Sequence, residues 1–187
     1  QYEKPFKIGS PTTVNAITVD PENGKKTEPV SKYFDIAKKN WMVVKTTSGE
    51  INEANKIIDE DPNTFWATDE GVRVPQEVVI DLGNVYNLIG FTYWPIQERY
   101  PFGIITNYEF SVSLNGRNWR TAARGEFSNI VNSRLEQTVN FDKIKARYIK
   151  LKGVKIAPPI GSHVVEADSG QLEDFKTSFP EIGVITE

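Results

Sequence analysis

The acidic segment at residues 55–66 carries the clearest candidate chemistry in the sequence. Asp59, Asp61 and Thr64 place side-chain oxygens close together in the chain, beside the turn-forming pair Pro62-Asn63. Pro presets φ, and Asp and Asn side chains bond their own backbone, so the segment predicts a tight turn. Calcium takes about six to eight oxygen ligands from carboxylates, hydroxyls and carbonyls, which such a turn can supply. A solvated acidic hairpin explains the same residues equally well, so both interpretations stay open at this point.

Composition excludes several functional classes. The 187 residues are 39% hydrophobic and 11% aromatic, which is enough to form a folded core. The net charge of -3 argues against a nucleic-acid partner, which would require a basic face. No apolar run approaches the length of a membrane span, so we expect no membrane insertion. The absence of Cys and the single His163 exclude disulfides, thiol catalysis and His–His metal motifs, and they disfavour a Ser–His triad.

Hydrophobic periodicity predicts an all-β chain. Residues 12–19 and 28–34 flank the turn sequence Asp20-Pro21-Glu22-Asn23-Gly24 and predict a hairpin within residues 1–38. One hairpin is marginally stable alone, so this piece either packs on the rest of the chain or, as we favour, ends a preceding β domain. Further strands are predicted at residues 41–47, 76–82, 87–94, 107–114, 119–123, 135–141, 147–151 and 179–185. Many short strands with turns between them are typical of a sandwich or barrel, and the one long irregular segment is 153–178.

Four segments from residue 41 onward together resemble the discoidin, or coagulation factor 5/8 type C, domain. They are residues 55–66, 77–83, 89–93 with 108–113, and 146–151 followed by 180–182. Within that superfamily the sequence looks most like carbohydrate-binding module family 32. The resemblance implies that residues 39–187 form an eight-stranded jelly-roll (discoidin-like) β-sandwich. Residues 1–38 are similar to the end of the small immunoglobulin-like modules that precede such domains in secreted bacterial exo-glycosidases, so we expect a partial immunoglobulin-like β fragment there.

The resemblance also implies a biological setting. Chitobiases (β-hexosaminidases) and α-L-fucosidases of gut Bacteroidota contain similar arrangements, which implies the C-terminal, non-catalytic region of a glycoside hydrolase. The expected function is then a carbohydrate-binding module that targets this secreted, periplasmic or cell-surface enzyme to glycans. Its expected partners are terminal sugars of glycans and the parent catalytic domain in cis.

The family's cation site transfers onto matching positions of this sequence. Asp59 is expected to give a side-chain oxygen, and Thr64 a hydroxyl and a carbonyl. Backbone carbonyl oxygens are expected from Lys56 and Asp61. Near the end of the chain, Pro180 is expected to supply its carbonyl oxygen and Glu181 its carboxylate. The implied cofactor is a structural calcium ion. The family often has Gly where this chain has Glu60, and a positive φ there would cost about 1 kcal/mol or more.

The sugar site is expected where three loops, residues 66–73, 95–104 and 153–178, meet at the cation end. Binding residues are disproportionately found on loops, and exposed aromatic rings can serve as binding platforms. The candidates are Thr68, Asp69, Gln97, Arg99, Tyr100, Phe102 and His163. For Tyr100 and Phe102, packing onto the end of the sandwich is an equal alternative. The galactose-binding pattern often has His where Ala67-Thr68 stands and Arg at Ile96, so two donors suited to an axial hydroxyl are missing.

Two other classes of function compete with the binding module. An enzyme would need two carboxylates about 5–9.5 Å apart in a cleft, and with 25 acidic residues some close pair is unavoidable. Since no nucleophile–base pair is visible and cation binding explains the acidic turn, we expect no catalytic residues. The remaining alternative is a structural spacer or protein-interaction domain of the same enzyme without a sugar site, because fold alone does not establish binding.

Overall fold

The chain divides into two compact units, residues 1–37 and 38–187. The computed structural model describes residues 2–6, 8, 11–69, 71–158 and 176–187. The expected domain boundary after residue 38 lies one residue from this division. Within the described ranges, helical structure is confined to two 3-10 helices, Lys38–Asn40 and Glu53–Ile57. Neither of them has the length or apolar character needed to cross a membrane.

The first unit contains an antiparallel hairpin. Strand β1 (Thr12–Ala16) pairs with β2 (Val30–Phe34). The predicted turn between them is closed by Asp20, whose carboxylate accepts hydrogen bonds from the Glu22 backbone N–H at 2.9 Å and the Asn23 amide at 2.7 Å. The hairpin is therefore confirmed, whereas its membership of an immunoglobulin-like module stays a prediction, since two strands do not define one.

The second unit is an antiparallel β structure of eight strands in the described residues. Their bounds are β3 (Met42–Thr46), β4 (Trp66–Ala67), β5 (Gln76–Trp94), β6 (Ile105–Ser113), β7 (Arg120–Glu126), β8 (Gln137–Ile156), β9 (Ser178–Phe179) and β10 (Glu181–Thr186). Six of them form one sheet in the order β10-β5-β8-β6-β7, with β3 also paired to β5, and β4 pairs separately with β9. This architecture confirms the predicted all-β, discoidin-like β-sandwich class.

The two longest strands, β5 and β8, each join two predicted strands into one. The register between them shifts between Asp81 and Tyr86, where Gly83 adopts φ +77°. A Cβ atom on Gly83 would lie 2.7 Å from the Asn40 carbonyl oxygen, so both the backbone angle and the close approach favour glycine there. The predicted break between residues 82 and 87 is therefore a bend inside a continuous strand.

Aromatic stacking across the core shows that the sheet forms two layers. The Phe91 ring on β5 stacks on Phe110 of β6 with centroids 4.1 Å apart and planes 4° apart, although β5 and β6 are not hydrogen-bonded neighbours. Phe127 extends this core by stacking on Tyr93 and Tyr108 at 5.1 and 4.3 Å. Each such pair contributes about 0.5–1.5 kcal/mol beyond the area it buries. These stacked rings thus join the two layers through one aromatic core.

An ion pair holds the bend of β5. Asp81 accepts two hydrogen bonds from Arg147, at 2.8 Å from Nε and 2.9 Å from Nη2, and a third at 2.8 Å from the Gly83 N–H. The Arg147 hydrogen bonds lower the pKa of Asp81 below its ordinary value, with help from Gly83 and against the opposing effect of burial. A lowered folded-state pKa means that ionised Asp81 stabilises the folded state.

We expect Asp81→Asn to lower the free energy of unfolding at neutral pH by about 1–2 kcal/mol, because the charge-assisted hydrogen bonds are lost. In the wild type, the stabilisation of the folded state by ionised Asp81 is complete above the ordinary Asp pKa of about 3.9. It is lost as pH falls through the lower pKa that Asp81 has in the folded state. The difference between wild type and variant should therefore shrink below about pH 4. Urea unfolding across this range measures it, with exposed Asp142→Asn as the control. An equal pH dependence in wild type and Asp81→Asn would contradict the assignment.

Candidate functional site

The acidic turn gathers oxygens around one hydroxyl. The Thr64 Oγ1 atom lies 2.7 Å from Asp59 Oδ2, 3.2 Å from the Asp61 carbonyl oxygen and 3.4 Å from the Lys56 carbonyl oxygen. A hydroxyl donates one hydrogen, so it satisfies only one of these three acceptors at a time. The structure therefore brings together oxygens from four of the predicted cation-ligand residues.

The turn is shaped by local hydrogen bonds and by a left-handed residue. The Asp61 N–H donates to Asp59 Oδ1 at 2.9 Å, and the Asn63 N–H donates to Asp61 Oδ1 at 2.9 Å. Between them Glu60 adopts φ +65°, the conformation anticipated from the family's frequent Gly at this position. A side chain with a Cβ is strained there, which identifies Glu60 as a position where the local sequence opposes the fold.

Glu60→Gly is expected to raise the free energy of unfolding by about 1 kcal/mol, because it relieves this left-handed strain on an exposed residue. Asn129→Gly is the matched control. Asn129 also has a positive φ of +52°, but Asn tolerates the left-handed region better than Glu, so this variant should gain less stability. Denaturant unfolding of both variants measures the difference. Equal or lower stability of Glu60→Gly relative to wild type would show that the turn is not strained.

The chain end brings a buried carboxylate to the region. Glu181 is only 6% exposed, and its Oε1 atom is ion-paired with Lys38, whose Nζ also donates to the Ile182 carbonyl oxygen at 2.7 Å. Its Oε2 atom is buried without a hydrogen-bond partner among the residues that the structure describes. Pro180 is also buried, and β10 contacts the 3-10 helix that ends at Ile57. The predicted ligand Glu181 thus lies on the strand next to the turn, with an ammonium partner that the sequence did not suggest.

This donor set suits a hard cation. Oxygen atoms are the ligands that calcium prefers, and a buried carboxylate oxygen without a partner is costly. In the ranges that the structure describes, no group of three acidic or His side chains gathers in one place. An ion bound here would therefore depend on backbone carbonyls and the Thr64 hydroxyl as much as on Asp59 and Glu181.

The described parts of the three predicted loops meet beside this turn. Strand β4 pairs with β9, which brings residues 66–67 to 178–179. The Ser178 N–H donates to the Gly103 carbonyl oxygen at 3.0 Å, which joins the second loop to the third. Phe102 packs edge-to-face on Phe65, with centroids 5.7 Å apart, so the second loop also lies against the acidic turn. The described parts of the three loops therefore form one continuous surface beside the turn.

Tyr100 and Arg99 are both exposed on this loop surface. Tyr100 is 44% exposed, and the Arg99 guanidinium carbon lies 5.3 Å from its ring centroid. Phe102 is half-buried against Phe65, so the packing alternative applies to Phe102 more than to Tyr100. An exposed ring beside a guanidinium combines an apolar face with hydrogen-bond donors, the combination that a sugar ring and its hydroxyls require.

Arg134 holds the same loop and was not among the predicted site residues. Its Nη1 atom donates to the carbonyl oxygens of Glu98 at 2.6 Å and Ile96 at 3.3 Å. Gln97 in turn donates from Nε2 to the carbonyl oxygens of Arg134 at 3.1 Å and Pro95 at 2.6 Å. These reciprocal bonds fix the loop before Tyr100. No local sequence signal marks Arg134, because its partners lie more than 30 residues away.

The remaining sugar-site candidates have different surroundings. Thr68 is 2% exposed, and its hydroxyl accepts a hydrogen bond from the Thr177 N–H at 2.9 Å. Thr68 therefore extends the β4–β9 pairing, and this placement does not support the predicted sugar contact of its hydroxyl. Asp69 is exposed and accepts a hydrogen bond from the Gly49 N–H at 2.9 Å. His163 lies outside the described residues, so its role stays a prediction.

Solved structures of carbohydrate-binding modules share this architecture. A family 32 module from Clostridium perfringens, in complex with GalNAc-β-1,3-galactose, matches with a TM-score of 0.61 and 26% identity, over 80% of this chain and 98% of that one. The C-terminal domain of a chitobiase from Bacteroides fragilis matches with a TM-score of 0.60 and 22% identity, over 81% and 97% of the two chains. The second likeness shows the fold alone.

Sequence comparison gives the family directly. Galactose oxidase of Gibberella zeae is 32% identical over 124 residues, which are 64% of this chain and 18% of that protein. A sialidase of Micromonospora viridifaciens is 32% identical over 110 residues, 56% of this chain and 16% of that protein. The chain thus spans less than a fifth of the length of these curated relatives. The F5/8 type C domain model matches residues 37–164. The chain belongs to the F5/8 type C, or discoidin, domain family.

Proposed function

We propose that residues 38–187 form a non-catalytic carbohydrate-binding module that directs a secreted glycoside hydrolase to glycans. The observation that carries this proposal is the exposed Tyr100 ring beside Arg99, on a loop fixed by Arg134 next to the oxygen-rich turn. Terminal galactose, N-acetylgalactosamine, N-acetylglucosamine or fucose is the proposed ligand class. The complex of the related Clostridium perfringens module with GalNAc-β-1,3-galactose supports this choice.

A structural calcium ion is part of the proposal. Asp59, Thr64 and Glu181 would contribute side-chain oxygens, and the ion would also accept carbonyl oxygens from the turn and from Pro180. Such an ion would join the turn near the start of the module to β10 at its end. Because its ligands come from the protein, its role is to stabilise the loop surface rather than to react with a substrate.

The proposed setting is a larger, exported enzyme. The Bacteroides fragilis chitobiase domain with the same fold is a C-terminal domain, and the curated relatives are several times longer than this chain. We therefore place the module in cis to a parent catalytic domain, in a secreted, periplasmic or cell-surface protein. The parent's activity, and its relation to the chitobiases and α-L-fucosidases, belong to this proposal.

A spacer or protein-interaction role without a sugar site is the second candidate. The observation that favours it is the loss of polar donors: Ile96, where the galactose-binding pattern often has Arg, is 1% exposed, and Thr68 is buried. A sugar bound here in the galactose-like orientation would have its axial hydroxyl without a hydrogen-bond partner, which costs binding free energy.

Calorimetric titration of the chain with GalNAc-β-1,3-galactose in calcium buffer separates the two candidates. Saturable binding supports the module. A folded chain that binds neither this disaccharide nor galactose, N-acetylglucosamine or fucose, each titrated in the same buffer, supports the spacer. In parallel, incubation with chromogenic glycosides should release no chromophore. Hydrolysis by the pure chain would contradict the non-catalytic assignment.

A further inference from the structure

An open groove of about 420 Å³ crosses the outer face of the sheet. Its floor is formed by neighbouring residues of β3, β5 and β8, and residues 115–119 of the β6–β7 turn close one side. The register explains the alignment, since Val79 pairs with both Lys45 and Lys150, and Asp81 pairs with Tyr148. The volume falls in the range of small-ligand pockets, about 300–1,000 Å³. None of the residues in the 95–104 loop lines this groove.

Two lysines share one carboxylate in the groove. The Lys45 Nζ lies 3.2 Å from Glu77 Oε1, and the Lys150 Nζ lies 3.6 Å from Glu77 Oε2. Burial raises the pKa of Glu77, but the hydrogen bond from Lys45 and the charges of Lys150, Lys45 and Lys152 outweigh it and hold the pKa below its ordinary value. Glu77 is therefore in a positive field, and one carboxylate does not neutralise both lysines that contact it.

The other carboxylate of the groove is already neutralised. Asp81 is bonded by Arg147, so its charge does not offset the groove lysines. Arg117 is exposed, and its guanidinium has no ion-pair partner among the residues that the structure describes. Three cations that line the groove (Lys45, Lys150 and Arg117) thus accompany one carboxylate, Glu77, that Arg147 does not neutralise, which leaves a local excess of positive charge on a chain whose net charge is -3.

Rigid apolar walls accompany this charge. The Lys150 ammonium lies 4.8 Å from the ring centroid of Trp119, which is half-buried. Gly116 lies against the Tyr148 ring, with 3.5 Å between the ring and the position where a Cβ would be. Val79 contributes a buried apolar floor. A ligand that fits must therefore combine an apolar face with a negative group.

We propose that this groove binds an acidic saccharide, a pyranose ring that carries a carboxylate or a sulfate. The ring's C–H face packs on Trp119 and Val79, and the negative group accepts charge-assisted hydrogen bonds from Arg117 and Lys150. Arg117 provides a planar guanidinium suited to bidentate contact with either anionic group. This second site does not depend on the loop surface around Tyr100.

Assigned ¹H–¹⁵N spectra of the chain, titrated with glucuronate, test the proposal. We expect saturable shifts of the backbone amides of residues 115–119, and weaker binding as salt is raised. Glucose 6-sulfate distinguishes sulfate from carboxylate, and glucose is the neutral counterpart. Arg117→Ala, on an exposed turn, and Lys150→Met should each weaken binding roughly tenfold. Lys145→Met, which removes an exposed lysine elsewhere on β8, should leave binding unchanged.

Three results would overturn the proposal. The first is the absence of a saturable shift with either acidic sugar, and the second is that glucose causes shifts equal to those with glucuronate. The third is that Lys145→Met and Arg117→Ala lose the same amount of affinity relative to wild type. Sodium sulfate that reproduces the shifts at the same concentration would overturn the saccharide assignment and indicate binding of small anions only. Shifts of residues 97–102 with neutral galactose report on the loop surface separately, so either site can fail without the other.

Discussion

Chelation of calcium is expected to lower the melting temperature of residues 38–187 by about 5–10 °C. A ligand at 100 times its dissociation constant stabilises the folded state by about 2.7 kcal/mol. For a unit of this size, each kcal/mol shifts the melting temperature by about 2–4 °C. The physical reason is that an ion held by the oxygens around Thr64 and by Glu181 would join the acidic turn to β10. Calorimetric melting in excess calcium and in chelator measures the difference.

Two variants identify the ligands. Asp59→Asn should remove most of the calcium-dependent shift, while Asp142→Asn, an exposed acidic residue on β8, should retain it. Glu181→Gln should lower the melting temperature in both conditions, because it also breaks the buried ion pair with Lys38. Identical melting of wild type with and without chelator would exclude the proposed site, and a full calcium shift in Asp59→Asn would exclude Asp59 as a ligand.

Replacing Tyr100 by Ala is expected to weaken glycan binding about tenfold or more, as truncation of a central aromatic anchor commonly does. Tyr100 is 44% exposed, so its removal should leave the melting temperature nearly unchanged. Phe102→Ala should weaken binding and also lower stability, since it removes the edge-to-face contact with Phe65, a pair worth about 0.5–1.5 kcal/mol. Titration calorimetry with the preferred glycan measures the first effect and thermal melting the second.

Tyr33→Ala provides the matched control for this experiment. Tyr33 is 51% exposed and lies in the other unit, so the same truncation there should change neither affinity nor stability of the module. Binding by Tyr100→Ala that equals wild type would place the aromatic platform elsewhere on the loops.

Much of the fold could be predicted because its signals are local. Alternation and turn residues marked the hairpin around Asp20 and strand β6 with its Asn115-Gly116 turn, and these elements are present. The positive φ of Glu60 was also predictable, since the family often has Gly at this position. The continuity of β5 could not be predicted, because a glycine that follows a strand, such as Gly83, usually marks a turn. The bend at Gly83 depends on the close approach of Asn40, which belongs to another segment.

The candidate site was harder to predict because its decisive contacts are long-range. No local pattern singles out Lys38 in the sequence, yet it pairs with Glu181, 143 residues away. Thr68 follows the acidic turn and was expected on the sugar surface, but it is buried, and its hydroxyl is bonded to Thr177, 109 residues away. Residue type and spacing predict which side chains are capable of chemistry, whereas strand pairing decides which of them remain accessible.

A glycan array probed with the folded chain in calcium buffer, and again in chelator, tests the central proposal most directly. We predict binding to glycans that end in galactose, N-acetylgalactosamine, N-acetylglucosamine or fucose, with loss of signal in the Tyr100→Ala variant and a weaker signal in chelator. An array without signal from folded, calcium-loaded protein would contradict the binding-module assignment and would favour the spacer role.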